Sequence, residues 1–135
     1  MTTGTWDPTA GAKTANTNVD IDILKQFIHY SENEQLEQLA DIIEPQIQME
    51  QRPLMSLAAE EWQTLGETFS EDQLRHLIRF FTRAEMLLAS WDAGSKSPVI
   101  ALVKILKNKG AALDKDFILW IKHNTTNRYL PHGPL

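Results

Sequence analysis

The chain contains no cysteine. That single absence excludes disulfides, thiolate nucleophiles, iron–sulfur clusters and cysteine-ligated zinc, and it suits a reducing compartment. Nowhere do about 18 apolar residues run together, so no membrane-spanning helix is expected. The opening residues, MTTGTWDPTAGAKTANTNVD, hold no apolar stretch of the kind a secretory signal needs. The expectation is a cytoplasmic protein with no membrane contact.

The usual chemical motifs are missing too. His29, His76, His123 and His132 are scattered, and no His-Glu-x-x-His or Glu-x-x-His spacing places two metal ligands on one helix face. There is no Gly-x-Ser-x-Gly, no phosphate loop and no dinucleotide fingerprint. Asp72 and His76 stand four residues apart and can share a metal, but two ligands make a weak site and a surface hydrogen bond is the commoner outcome. No metal and no cofactor is expected, and nothing in these patterns argues for catalysis.

What is present is one domain's worth of helix signals. The 135 residues are 42% hydrophobic and 23% charged, ordinary values for a single core. Residues 1–18 are rich in Thr, Gly, Ala and Asn with Trp6 as their only large apolar group; the expectation is a disordered leader. Residues 19–135 read as a single helical domain whose tail, about 125–135, is extended. Asp20 is placed to cap a helix carrying Leu24, Phe27 and Ile28. Ser31 and Glu34 form a capping box before Leu36, Leu39, Ala40 and Ile43. Pro45 should stop or kink that helix. Pro53 suits the first turn of a helix presenting Leu54, Leu57, Trp62 and Leu65. Ser70 and Gln73 form a second capping box and open the longest helix, reaching about Trp91. Ser97-Pro98 restarts the chain, Gly110 ends that helix, and Asp114 caps a last helix with Phe117, Ile118 and Ile121 inward. Tyr129 and Leu130 are expected to strap the tail down. No alternating strand pattern or repeat competes. The fold expected is an all-α, compact, irregular bundle of about five or six helices.

The wheel of residues 70–91 carries the most functional information. Leu74, Leu77, Ile78, Phe81, Ala84, Leu88 and Trp91 share a broad apolar face, widened by Phe80 and Leu87. The opposite arc holds Asp72, Arg75, His76, Arg79 and Arg83. Three arginines at i, i+4 and i+8 repel one another unless an anion answers them. Glu71 is placed to answer Arg75, and the acidic helices between Glu32 and Glu50 are placed to answer the others. Glu85 falls inside the apolar face, so it needs a partner: Arg128, a lysine of residues 98–109, or the free N–H groups that open a neighbouring helix. It reads as a buried clasp between tail and core, or as a pocket carboxylate.

Net charge is −5, but residues 1–71 carry a balance of −10 and residues 72–135 one of +5. Such a chain can pair its halves internally, self-associate head to tail, or offer one half to a charged partner; it can also simply be solvated. Arg75, Arg79 and Arg83 with Lys104 and Lys107 form the candidate binding face, for an acidic protein or a second copy of the chain. A phosphorylated small molecule or a nucleic-acid backbone is the alternative occupant. Direct DNA reading is disfavoured: the second helix of the helix-turn-helix-sized segment 98–124 opens on Asp114 and Asp116 and lacks base-reading side chains. Trp62, Trp91 and Trp120 either fill the core or, where one is exposed beside the arginines, mark a protein contact.

Overall fold

Aspartate, serine and proline punctuation sets the starts of the first, third, fifth, sixth and seventh helices. The computed structural model describes residues 19–127 and 129–130. The expected leader over residues 1–18, Trp6 with it, the tail beyond Leu130, and Arg128 lie outside the described residues. Helix α1 (Ile21–Glu32) is capped by Asp20, which accepts from the Asp22 N–H. After a 3-10 turn at Leu36–Gln38 come the short α2 (Leu39–Ile42) and α3 (Pro45–Gln51). A second 3-10 turn, Arg52–Ser56, precedes α4 (Ala59–Gly66). Helix α5 (Glu71–Leu87) opens with both hydrogen bonds of the Ser70–Gln73 capping box. Helix α6 (Pro98–Asn108) has Ser97 as its cap, and α7 (Lys115–Asn124) has Asp114. Among the described residues there is no strand, and the fold is a compact all-α bundle.

Several boundaries differ from the sequence reading, each for a local reason. Ser31 does not cap a second helix. It lies in the last turn of α1, buried, and spends its hydroxyl on His76. The chain leaves α1 through a Schellman-type turn: Gln35 N–H returns to Tyr30 O and Glu34 N–H to Ser31 O, with Glu34 at φ 56°. The helix does stop just before Glu44-Pro45, where Ile43 and Glu44 leave helical geometry, and Pro45 then begins a new helix rather than carrying on a kinked one. Pro53 lies within the 3-10 turn, and α4 begins only at Ala59. Helix α5 ends at Leu87 rather than Trp91, since Leu88 is extended and Ser90 takes φ 67°. Trp91 nevertheless reaches the core from the loop, fully buried, its indole N–H donating to Gln48 O at 3.1 Å. Of the two expected strap residues, Leu130 is buried and Tyr129 is 55% exposed.

Helix α5 is the hub. It packs against α1, α2, the 36–38 turn, α6 and α7, while α4 rests on α6. That last approach is close: a Cβ on Gly66 would lie 2.9 Å from Cδ1 of Ile105. An aromatic seam runs through the centre. Phe27 stacks on Phe80 at 4.0 Å and 7°, Phe81 meets Phe80 edge-on at 5.1 Å, and Trp62 meets Phe81 edge-on at 5.5 Å. These geometries add to the burial of each large ring.

Glu34 provides a test of the helix exit. A left-handed conformation costs an L-residue with a Cβ roughly 1–2 kcal/mol, partly offset by the greater freedom of glycine in the unfolded chain. Glu34→Gly is therefore expected to raise unfolding stability by about 0.5–1 kcal/mol, read as a higher urea midpoint with an unchanged slope. A lower midpoint would contradict the turn geometry.

Candidate functional site

The polar arc of α5 is not left to solvent. Arg75, His76, Arg79 and Arg83 are all partly buried, because α7 and the 33–38 segment close over them. Each therefore needs an answer, and each has a different one. Arg75 pairs with Asp72 at 3.2 Å, one turn back, rather than with the expected Glu71. His76 Nδ1 and Ser31 Oγ share a 2.8 Å hydrogen bond, which takes His76 away from Asp72. Arg83 grips Glu37 with a fork of 2.9 and 2.8 Å, and its third nitrogen donates to Asn124 O at 2.7 Å. Its side chain is 15% exposed, and all three of its nitrogens already have acceptors within the chain.

Arg79 is the exception. Its guanidinium carbon lies 4.4 Å from the Phe117 ring centre and 5.0 Å from that of Trp120. The two rings are 6.1 Å apart and nearly perpendicular, so the cation sits in the angle between them. Such contacts contribute about 0.5–2 kcal/mol depending on desolvation, but they occupy the faces of the guanidinium and leave its N–H edge. Among the described residues Arg79 makes no hydrogen bond or ion pair.

Arg79 and Trp120 form a ridge between two open hollows. One, of about 390 Å3, is lined by Arg75, Ala112, Asp114, Asp116 and Phe117 beside the ridge. The other, of about 520 Å3, is lined by Ser31, the three glutamates Glu32, Glu34 and Glu37, His76 and Asn124. Trp62 and Trp91 are core residues, 1% and 0% exposed; Trp120 is only partly buried. Nothing local in the sequence announces the contact of Trp120 with Arg79, although Phe117 and Trp120 at i and i+3 set two rings side by side on one helix face. Lys104 and Lys107 are exposed on α6 and line neither hollow. Lys109, not singled out from the sequence, lines a third hollow with Arg75 and Asp72. No three His, Asp or Glu side chains among the described residues are grouped to hold a metal.

Glu85 lies on the other side of the hub, 5% exposed. Arg128, its expected partner, is outside the described residues, and no lysine of α6 reaches it. Three neutral donors do: the Ser97 hydroxyl, the Ala93 N–H at 3.3 Å and the Asn127 amide at 3.1 Å. Ser97 Oγ meanwhile accepts from Val99 N–H to cap α6, and the Asn127 amide also donates to Gly94 O at 3.0 Å. One carboxylate thus joins α5, the 93–97 connection and the segment after α7. Burial pushes its pKa above the ordinary 4.5, against the lowering effect of its donors and with a smaller upward push from Asp92.

Comparison with known protein families, characterised proteins and solved structures finds no match to this chain.

Glu85→Ala would orphan several of these donors and should destabilise by more than about 2 kcal/mol. Linkage adds a second signature. In the window from pH 4.5 up to the raised value, the folded state holds a proton that the unfolded chain has lost, so wild-type stability falls as pH rises through it. Glu85→Gln cannot titrate. The stability of wild type relative to Glu85→Gln should therefore decline across that window in urea unfolding. A constant difference would show that Glu85 titrates alike in both states.

Proposed function

We propose that this chain is a non-enzymatic protein-interaction or regulatory domain whose contact face is the Arg79–Trp120 ridge and its flanking hollows. The observation that carries the reading is a partly buried tryptophan stacked on an arginine that has no hydrogen-bond or ion-pair partner among the described residues. Tryptophan and arginine are the residue types most concentrated at the energetic centres of protein interfaces, where a large ring and a planar cation are desolvated together. Here the ridge is held rigid by α5 and α7, so little side-chain freedom is lost when a partner covers it.

The alternative, a phosphate compound or nucleic-acid backbone on the arginine column, is less well supported. Arg75 and Arg83 already hold carboxylates. Asp114 and Asp116 line the hollow beside Arg75 and Arg79, and three glutamates line the other. A polyanion placed there meets as many negative groups as positive ones, without the uncompensated basic surface that backbone binding needs. No helix of the described residues is long and apolar enough to cross a membrane, and a cytoplasmic partner is part of the proposal.

The test is site-specific photo-crosslinking in lysate of the native host. A crosslinking residue at Leu119, partly buried beside Trp120, is compared with one at Met49, which is 69% exposed on α3. A defined protein adduct is expected from position 119, absent from position 49, and lost in a Trp120→Ser variant that circular dichroism shows to be folded at the assay temperature. Identical adducts from both positions, or none from 119, would remove the face from consideration.

A further inference from the structure

We infer that Glu85 is a proton-operated clasp for the segment that follows α7: protonated, it holds Asn127 and Leu130 against the bundle, and its ionisation frees them while the helices stay packed. The clasp uses other residues than the Arg79–Trp120 face and stands or falls apart from it.

The segment is built to move as a unit. Thr125 is extended and ends α7. Beyond it the Asn127 N–H donates to Thr125 Oγ1, the Tyr129 N–H to Asn127 Oδ1 and the Leu130 N–H to Asn127 O. These bonds lie within the segment, so they survive its departure. Its ties to the bundle include the Asn127 amide, which donates to Glu85 at 3.1 Å and to Gly94 O at 3.0 Å, and the Thr126 hydroxyl, 3.6 Å from the Met86 sulfur. Leu130 is 2% exposed within the core cluster. Glu85 also receives the Ala93 N–H and meets the Ser97 hydroxyl, so one carboxyl ties the segment to α5 and to the start of α6 together.

This arrangement suits the neutral carboxyl better than the charged one. Asn127 and Ala93 both donate to Oε1, while Oε2 faces Ser97 Oγ. A proton on Oε2 is therefore housed by a hydroxyl that accepts as well as donates, and Oε1 keeps both of its donors. Ionised, the group buries a charge that no cation among the described residues offsets, and burial costs the charged form far more. The other titratable groups lining its hollow of about 300 Å3 are Asp92, of the same sign, and Tyr129. Arg83 is held by Glu37. Asp22 and Lys25 on α1, Asp41 on α2, Lys96 in the connection, Lys104 on α6, and Lys122 and His123 on α7 are exposed, where solvent and salt screen them. The upward push on Glu85 is the thermodynamic counterpart: closure and proton binding favour one another. Thr126, Asn127 and Tyr129 line the same hollow, so lifting the segment brings water to the carboxylate without displacing a helix.

The probe is a neutral paramagnetic chelate added to the full chain, 13C-labelled at leucine methyls and glutamate carboxyls, and titrated from about pH 4 to about pH 8. Relaxation of the Leu130 methyls is expected to rise in step with ionisation of the Glu85 carboxyl, the open population growing by up to about tenfold per pH unit, the ceiling for one proton. Leu106 of α6, 0% exposed, should not respond. Glu85→Gln cannot ionise and should keep Leu130 covered throughout. Asp92→Asn removes the like charge and should move the transition to lower pH without abolishing it. Should Glu85→Gln fail to fold, the wild-type and Asp92→Asn midpoints decide. A Leu130 response that is flat in wild type, equal in Glu85→Gln, lost in Asp92→Asn or shared by Leu106 overturns the inference, the last because the whole bundle is then opening. Coverage of Leu130 that increases as Glu85 ionises overturns it too, since a cation such as Arg128 then answers the carboxylate.

Discussion

Enclosure of helix α5 is the constraint on which the rest of the molecule depends. Its apolar face alone is wide enough to hold the aromatic seam from Phe27 through Phe80 and Phe81 to Trp62. The short elements between α1 and α4, however, leave little freedom in how the chain returns, and α7 with the 33–38 segment comes to lie on the polar arc as well. A helix covered nearly all round cannot leave its charged groups to water. The desolvation of each must be offset by a hydrogen bond, an ion pair or a ring face. Arg83 meets Glu37 and a helix-end carbonyl, His76 meets Ser31, Arg75 meets Asp72, and Glu85 meets three neutral donors. Among the described residues Arg79 is met only by rings.

The polarity of the chain is resolved less by internal pairing than its halves would allow. Among the described residues only the Arg83–Glu37 ion pair joins an acid of the first half to a base of the second. Lys104 and Lys107 stay exposed. Exposed charges at such separations are largely screened at physiological ionic strength and contribute little to stability. The asymmetry therefore bears on encounter with partners, where a field acts over a Debye length, more than on the fold.

The parts legible in the sequence are those decided within one helical turn. The Ser70–Gln73 box, the Ser97 and Asp114 caps, and the left-handed Gly110 at φ 78° need only local geometry. The periodicity of α5 was legible for the same reason, and with it the placement of Glu85 in the apolar face. What was not legible depends on which distant side chain arrives. Ser31 is as good a cap as Ser70 in isolation, but Phe27 and Ile28 carry α1 through it and His76 waits 45 residues on. Trp91 looks helical because its spacing is right, yet a loop delivers it to the same core position. The donors on Glu85 come from a backbone N–H, a capping serine and an asparagine, none of which announces itself as a partner for a carboxylate. Likewise, nothing local distinguishes Arg79 from Arg75 and Arg83.

Helix α7 shows how these polar answers position the candidate surface. Its apolar side, Phe117, Ile118 and Ile121, is short, and burial of three side chains sets a face but only weakly a register, since apolar contacts are non-directional. Register comes from α5 side chains along its length. Arg79 lies between Phe117 and Trp120 near the middle of α7, Arg83 donates to Asn124 O at its last residue, and Glu85 accepts from Asn127 just beyond. These three contacts step along α5 as they step along α7, so a shift of α7 by one turn would break all of them together. The partial exposure of Trp120 is then a fixed consequence of that alignment: the ring cannot turn inward without vacating Arg79, and the helix cannot slide without releasing Arg83 and Glu85. The same contacts that stabilise α7 on the hub hold Trp120 and the free edge of Arg79 at the surface.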